Sequence, residues 1–330
     1  MAIGIWEYFE KFPLDIQKEN RISLNEGNTT IEEINISGQK FLIKREDLNP
    51  SKSFKDRSLA YQLSFYLDKK INEFVLSSSG NAGISLISFA IKYKKLHVHV
   101  FLSKNLSRNK LINLNSILKS NITIEEINFS EETYIFTKEN INIYFSLKPK
   151  IHSIIFSNSN DIKHLRPSHD DIAIEGYKSL GYELSNINFD DLYVLCSSGN
   201  ACLGIWEGLK INTPQKDITT HIIQIPEIHP ISSAISNIEI GNNERSEVNC
   251  IVDRVANRKN QIIMHLKAQK AIGHIVFNND IIKIRNILKT MKHEYSNFSS
   301  NTLASLAIAY KEYESKCIEN KIPLVIFSGI

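Results

Sequence analysis

One eight-residue segment occurs twice in this chain. Val-Leu-Ser-Ser-Ser-Gly-Asn-Ala at 75–82 recurs at 194–201 with a single Ser-to-Cys difference. Each copy follows an apolar, strand-like run and precedes a helix-like pattern. A strand, a Ser/Gly turn and a helix in that order aim backbone N–H groups and the positive end of the helix dipole beyond the strand end. A Ser/Gly turn also occurs in ordinary strand-to-helix connections, but two near-identical copies favour two anion sites on an α/β fold.

Strand and helix patterns alternate along the 330 residues, which predicts parallel sheets covered by helices. The strand-like runs are 41–43, 74–76, 97–102, 153–156, 192–195, 221–225 and 324–327. The helix-like stretches are 56–69, 82–94, 107–119, 171–180, 200–210, 280–293 and 300–316. Gly181 is a usual helix stop and predicts the end of the fourth stretch. The polar segment 237–258 has little periodicity, which favours solvated surface over a loop near a functional site.

Lys55 stands between a turn and a helix pattern. The turn residues Asn49, Pro50 and Ser51 precede it, and leucines follow at four-residue spacing, namely Leu59, Leu63 and Leu67. A lysine desolvated at such a junction has a lowered pKa, and its free amine forms Schiff bases with aldehydes. The alternative is a solvated surface lysine, since the chain has 39 Lys and Arg residues.

Residues 44–57 carry a family resemblance. Their sequence, Lys-Arg-Glu-Asp-Leu-Asn-Pro-Ser-Lys-Ser-Phe-Lys-Asp-Arg, resembles the surroundings of the Schiff-base lysine in fold-type II pyridoxal-phosphate enzymes, threonine synthases above all. Residues 24–30 resemble the opening Glu-Gly-x-Thr-Pro segment of that family, with Thr30 in place of Pro. The resemblance implies an α/β fold of two lobes, each an open parallel-rich sheet covered by helices. The smaller lobe would span 45–150, with the substrate-carboxylate loop. The larger would comprise 1–44 and 151–330, with the phosphate loop.

The resemblance also implies the site residues. Lys55 would be catalytic and would carry the cofactor, pyridoxal 5'-phosphate. The implied cofactor-binding residues are Lys55, Asn81, Ser197, Ser198, Gly199, Asn200, Ala201 and Ser328. The implied substrate-binding residues are Ser78, Ser79, Asn81, Arg166 and His169. Asn81 would meet the ring hydroxyl, and the Ser328 hydroxyl would meet the pyridine nitrogen.

The implied function is that of a lyase acting by elimination or replacement on an amino acid with a phosphate or hydroxyl leaving group. Conversion of O-phosphohomoserine to threonine is the leading candidate. Two features depart from the family pattern: the phosphate loop is poor in glycine, and 165–169 replaces the usual Asn-Pro-x-Arg segment. Serine or threonine ammonia-lyase activity, β-replacement and a non-catalytic interaction protein therefore stay open as alternatives.

Composition and charge limit the classes of partner that we expect for this chain. A net charge of +3 without a basic block gives no support for nucleic-acid binding, and the apolar runs are too short for a membrane span. The four cysteines are scattered, form no metal-ligand pair and indicate reduced thiols in the cytoplasm. The N-terminus lacks the pattern of a signal peptide. We expect a small-molecule amino-acid substrate and no metal. We also expect a homodimer, because two-fold homo-oligomers are the commonest.

Overall fold

A computed structural model describes residues 4–129, 133–165, 170–214, 217–241, 244–256, 258–267, 270–315 and 321–329. The strands, in chain order, are β1 (Ile31–Ile36), β2 (Gln39–Lys44), β3 (Glu73–Ser78), β4 (His97–Ser103), β5 (Thr133–Lys138), β6 (Ile141–Ser146), β7 (Lys163–His164), β8 (Asp191–Leu195), β9 (Thr219–Gln224), β10 (Ala271–Ile275) and β11 (Pro323–Ile326). The helices are α1 (Lys55–Asp68), α2 (Asn81–Lys92), α3 (Arg108–Leu118), α4 (Ile124–Phe129), α5 (Pro149–Asn160), α6 (Ile172–Leu184), α7 (Asn200–Asn212), α8 (Pro230–Ser236), α9 (Lys259–Lys267), α10 (Asn278–Thr290) and α11 (Ser300–Glu314). Short 3-10 helices occupy Gly4–Lys11, Lys18–Asn20, Glu46–Leu48 and Glu294–Asn297.

The chain divides into two compact units. The first comprises Met1–Gly27 and Asn49–Gly176, and the second comprises Asn28–Leu48 and Tyr177–Ile330. The boundaries inferred from the sequence placed 1–27 and 151–176 with the larger lobe. In the structure these segments belong to the first unit, because the Trp6 ring stacks on Tyr61 of α1 and because β7 pairs with β3.

The sheet of the first unit has the strand order β5-β6-β4-β3-β7. All neighbouring pairs are parallel except the β5–β6 hairpin. The centres of the paired strands β3 and β4 are buried, and α2 packs against both strands. A parallel sheet covered by helices brings the carboxyl ends of its strands to one edge, where ligands of α/β proteins bind. The turn at 79–80 lies at this edge.

The sheet of the second unit has the order β1-β2-β11-β8-β9-β10 and is parallel except for the β1–β2 hairpin. Its core is continuous with α11, whose face from Leu303 to Tyr310 is buried against strand residues such as Tyr193 and Val325. A second cluster on the opposite face joins Val194 and Leu324 to α7. The alternation of strands and helices that the sequence predicts is confirmed, and so is the α/β class.

Two predictions about elements are wrong. Residues 153–156, predicted as a strand from Ile-Ile-Phe, lie in α5, which Pro149 opens at a first-turn position suited to proline. Gly181 does not end its helix, because α6 continues to Leu184. A Cβ at Gly181 would lie 2.2 Å from the backbone oxygen of Ile205, so this glycine allows α6 and α7 to approach closely.

In the described part of the chain, none of the helices combines the length and the apolarity that crossing a bilayer requires.

Candidate active site

The repeated segment has the same local structure in both places. β3 leads through a turn to α2, and β8 leads through a turn to α7. The residue before each helix is a glycine with positive φ: 145° at Gly80 and 91° at Gly199. Residues with a Cβ rarely adopt these angles, so glycine is what allows the chain to turn sharply from strand to helix. The prediction of two equivalent strand–turn–helix units is confirmed.

Close packing surrounds Gly199. A Cβ there would lie 1.9 Å from Cδ1 of Ile262 and 3.3 Å from Cδ1 of Ile231, so any larger residue must displace apolar side chains of α9 and α8. Gln224, fully buried at the end of β9, forms hydrogen bonds that hold the loop 197–201 in place. Its amide nitrogen donates to the backbone oxygen of Cys196 at 3.2 Å, and its oxygen accepts from Ile231 N at 2.8 Å. Nothing in the sequence pattern indicated Gln224, because its role depends on the pairing of β8 with β9.

The Ser197 hydroxyl is part of the same loop. Its oxygen accepts hydrogen bonds from the backbone N–H groups of Val252 and Asp253, at 3.1 and 3.2 Å. The segment 237–258 is therefore more than solvated surface, and that expectation is wrong for its described C-terminal part, where Ile251 and Ala256 are also buried. These two bonds use the acceptor positions of the hydroxyl, so Ser197 can offer a ligand both its O–H and its backbone N–H as donors.

Helix α7 begins at Asn200, immediately after this turn. The first amides of a helix have no acceptor within it, and the dipole concentrates positive charge there. The N-terminus of α7 therefore offers backbone N–H donors of the kind that bind an anion such as a phosphate. Asn200 itself is buried, and Ser198 and Ala201 are half-buried.

Ser328 lies at the same edge of the same sheet. β11 pairs in parallel with β8, with Val325 opposite Tyr193. Continued in that register, Ser328 stands level with Cys196, the residue before the loop 197–201. The backbone around it is held on both sides, since Phe327 N donates to Lys44 O and Thr302 donates to Gly329 O. A half-buried hydroxyl is thereby brought beside the candidate phosphate loop.

Lys55 is the first residue of α1 and is half-buried. The next residue, Asp56, is completely buried. Its carboxylate accepts from the backbone N–H of Ser51 at 2.8 Å and from the hydroxyls of Ser51 and Ser85. The Asp56 carboxylate thus ties the turn before Lys55 to α2, whose first residue is Asn81. The bond to Ser85 depends on the packing of α1 against α2, which the local sequence does not reveal.

The turn before α2 is also closely packed. Ser78 accepts from the backbone N–H of Gly80 at 3.0 Å, which narrows the turn. A Cβ at Gly80 would lie 2.5 Å from Cδ of Lys110, so the stem of this buried lysine on α3 covers the turn. Ser79 and Asn81 are half-buried on the same turn. The arrangement suits a carboxylate at the N-terminus of α2.

Glu26, in the segment resembling the family's opening motif, is fully buried near Asp56. It accepts from the Ser23 hydroxyl at 3.0 Å and from Leu24 N at 2.7 Å. Burial raises the pKa of Glu26 to about 7, and the Asp56 charge adds to the effect, although the hydrogen bonds oppose it.

The predicted site residues thus fall into two groups. Lys55, Ser78, Ser79 and Asn81 belong to the first unit, where Asp56 links their two helices. The loop 197–201 and Ser328 belong to the second unit, on neighbouring strands. Arg166 and His169 lie outside the described residues.

Comparison with known proteins agrees with this geometry. Residues 22–277 match the family described as pyridoxal-phosphate dependent enzyme. The threonine synthase of Methanocaldococcus jannaschii is 22% identical over 241 residues, which are 70% of this chain and 53% of that protein. The chain thus spans about half the length of this curated relative.

Solved structures share the fold. The L-serine ammonia-lyase of the fungus Rhizomucor miehei superposes with a TM-score of 0.68 at 11% identity, covering 92% of this chain and 93% of the lyase. A hydrogen sulfide-producing enzyme of Fusobacterium nucleatum gives a TM-score of 0.66 at 16% identity, covering 92% and 93%.

The fold and the two strand–turn–helix units define a fold-type II α/β protein. This chain belongs to the pyridoxal-phosphate-dependent enzyme family, and its cofactor is pyridoxal phosphate.

Proposed function

We propose that the protein is a threonine synthase-like lyase that eliminates or replaces a phosphate or hydroxyl group on an amino acid. The observation that carries this is the pair of glycine-capped helix N-termini, one following the turn at 79–80 and one at 197–201, together with Lys55 at a helix start fixed by Asp56. Two anion sites suit a cofactor phosphate and a substrate carboxylate.

In this proposal the loop 197–201 holds the cofactor phosphate through backbone N–H groups. Gln224 stabilises the conformation of the loop through its hydrogen bond to Cys196 O. Lys55 binds the cofactor through its aldehyde, and Asn81 contacts the ring hydroxyl. When bound, pyridoxal phosphate supplies a conjugated system that delocalises negative charge from the substrate's α-carbon.

The substrate carboxylate binds at the turn formed by Ser78, Ser79 and Asn81. Lys55 Nζ would be the group that accepts the α-proton and later returns a proton. The Asp56 hydrogen bonds hold Lys55 and the carboxylate turn in a fixed relationship, because Ser85 lies one helical turn after Asn81.

Ser328 is the proposed partner of the pyridine nitrogen. A hydroxyl holds that nitrogen protonated less well than a carboxylate does, so the ring withdraws fewer electrons. This favours loss of a β- or γ-substituent over transamination, and it supports the lyase class.

Arg166 and His169 are the proposed contacts of the leaving group. A guanidinium offers two parallel donors to a phosphate, and a protonated imidazole would add a third. Steady-state assays on O-phosphohomoserine, phosphoserine, serine and threonine test this. We expect phosphate release from O-phosphohomoserine, strongly reduced in Arg166→Ala. Equal turnover of all four substrates by both proteins would show that Arg166 does not recognise the leaving group.

Serine or threonine ammonia-lyase activity is the second candidate, and keto-acid formation from serine or threonine without phosphate release would establish it. No turnover by a protein that binds the cofactor would instead indicate a non-catalytic interaction protein. Analytical ultracentrifugation tests the proposed homodimer, and subcellular fractionation tests the proposed cytoplasmic location.

A further inference from the structure

A second group of polar side chains in the second unit is not part of the candidate site. His221 is on β9, His274 on β10 and Glu312 on α11. One ligand atom from each side chain lies within 4.8 Å of the others. We propose that His221, His274 and Glu312 bind a divalent transition-metal ion, with Zn²⁺ the best fit.

The hydrogen bonds around His221 orient its ring. Asp191, fully buried, contacts His221 Nε2 at 3.1 Å, so the carboxylate accepts the Nε2–H proton. In a metal-bound form His221 would ligate through Nδ1, which lies 2.8 Å from His274 Nε2. A histidine whose far nitrogen donates to a carboxylate is the usual form of a metal-ligating imidazole.

Glu312 completes the donor set. Its carboxylate lies 3.8 Å from His274 Nδ1, which is too far for a hydrogen bond. A tilt of the His274 ring away from His221 would open a space bordered by one ligand atom from each of the three side chains.

The donor set suits zinc. Two imidazoles and one carboxylate, with a water molecule as fourth ligand, form a common zinc sphere with bonds of roughly 2.0–2.2 Å. The ligand atoms around such an ion are roughly 3.3–3.6 Å apart. Side-chain rotations would therefore have to lengthen the 2.8 Å separation of His221 and His274 and shorten the longer separations in the cluster. Glu312 has 19% of its side chain exposed, which gives it room to move and gives an ion a path of entry.

The two nearby lysines repel a bound cation only weakly, because each contacts a carboxylate. Lys311 pairs with Asp280 at 3.1 Å, and Lys321 contacts Asp191 at 3.3 Å. The Tyr193 ring stacks on His221 at 4.0 Å and holds the imidazole in place. An ion bound here would join β9 and β10 to the helix that covers them.

Metal titration tests the proposal. The full-length chain, without an affinity tag, is treated with a chelator, freed of excess pyridoxal phosphate and titrated with Zn²⁺ by calorimetry and with Co²⁺ by visible absorbance. We expect one ion per chain with a dissociation constant on the order of 1 µM or tighter. The Co²⁺ complex should show the absorption bands of tetrahedral coordination.

Variants locate the ion. His274→Gln and Glu312→Gln should each weaken Co²⁺ binding at least about tenfold, and Asp191→Asn should weaken it roughly 10- to 100-fold. Glu314→Gln is the matched control, since Glu314 lies two residues further along α11 and pairs with Lys283 instead. Circular dichroism confirms folding; should His274→Gln fail to fold, the partly exposed Glu312 provides the deciding variant. No binding by the parent, or equal binding by parent and Glu312→Gln, overturns the proposal.

Discussion

The Ser85 hydroxyl donates a hydrogen bond to the buried carboxylate of Asp56. This bond joins α1, which begins at Lys55, to α2, which begins at Asn81. The candidate catalytic lysine and the candidate carboxylate turn are therefore positioned by one charged group. We expect Ser85→Ala to lower the free energy of unfolding by about 1–3 kcal/mol, because a buried carboxylate loses a donor.

Urea denaturation measures this effect. Ser88→Ala is the control, since Ser88 lies on the same helix and donates only to the backbone of Ile84. Equal destabilisation by the two changes would mean that the Asp56 bond contributes nothing beyond local helix effects.

Lys55 is predicted to carry the cofactor aldehyde. Lys55→Ala should abolish the absorbance band near ~410 nm that is expected of lysine-bound pyridoxal phosphate. Borohydride reduction and peptide mapping should place the label on Lys55. Lys69→Ala, an exposed position just after α1, should leave the spectrum unchanged. A label on another lysine would refute the assignment.

Gly199 is predicted to strengthen cofactor binding by keeping the candidate phosphate loop in its observed conformation. In Gly199→Ala the new Cβ would be held at a positive φ and would lie 1.9 Å from a side-chain carbon of Ile262. The substitution should therefore deform the candidate phosphate loop and weaken pyridoxal phosphate binding at least about tenfold, which corresponds to about 1.4 kcal/mol. Fluorescence titration with the cofactor measures this.

Gly38→Ala separates strain from crowding. Gly38 has a similar φ of 89° but open space around it. The Gly38→Ala substitution should therefore lower the free energy of unfolding by about 1–2 kcal/mol and leave cofactor affinity unchanged. Unaltered affinity in Gly199→Ala would place the phosphate site elsewhere.

Stability should depend on pH through Glu26. Its pKa rises from 4.5 to about 7 on folding, so the folded state binds the proton more tightly. The stabilising contribution is complete below pH 4.5 and is lost as the pH rises through 7. The full contribution is about 3 kcal/mol, since each pKa unit is worth about 1.4 kcal/mol.

Glu26→Gln should remove this pH dependence from the free energy of unfolding, measured by urea denaturation between pH 5 and 8. Glu19→Gln, at an exposed position of the same unit, should retain it. A parent protein whose stability has the same pH dependence as Glu26→Gln would show that Glu26 is ionised throughout.

Local features of the chain were predictable from sequence. The repeated Ser-Ser-Gly-Asn turns and the helix start at Lys55 depend on neighbouring residues, because φ preferences and apolar spacing act over a few positions. The strand at 153–156 was wrong for the same reason: β-branched residues favour strands locally, and packing overrode them.

Relationships between distant residues required the tertiary structure. Asp56 meets Ser85, Gln224 meets Cys196, and His221 meets His274 only because strand order and register bring them together. In the sequence these residues are ordinary polar side chains, 53 positions apart in the case of the two histidines. The chain's own sequence thus determined its α/β class, its cofactor family and its candidate lysine. The pairing of β8, β9 and β10 decided what supports the candidate phosphate loop and what brings the proposed metal ligands His221 and His274 together, since side chains on adjacent parallel strands become neighbours only once the register is set.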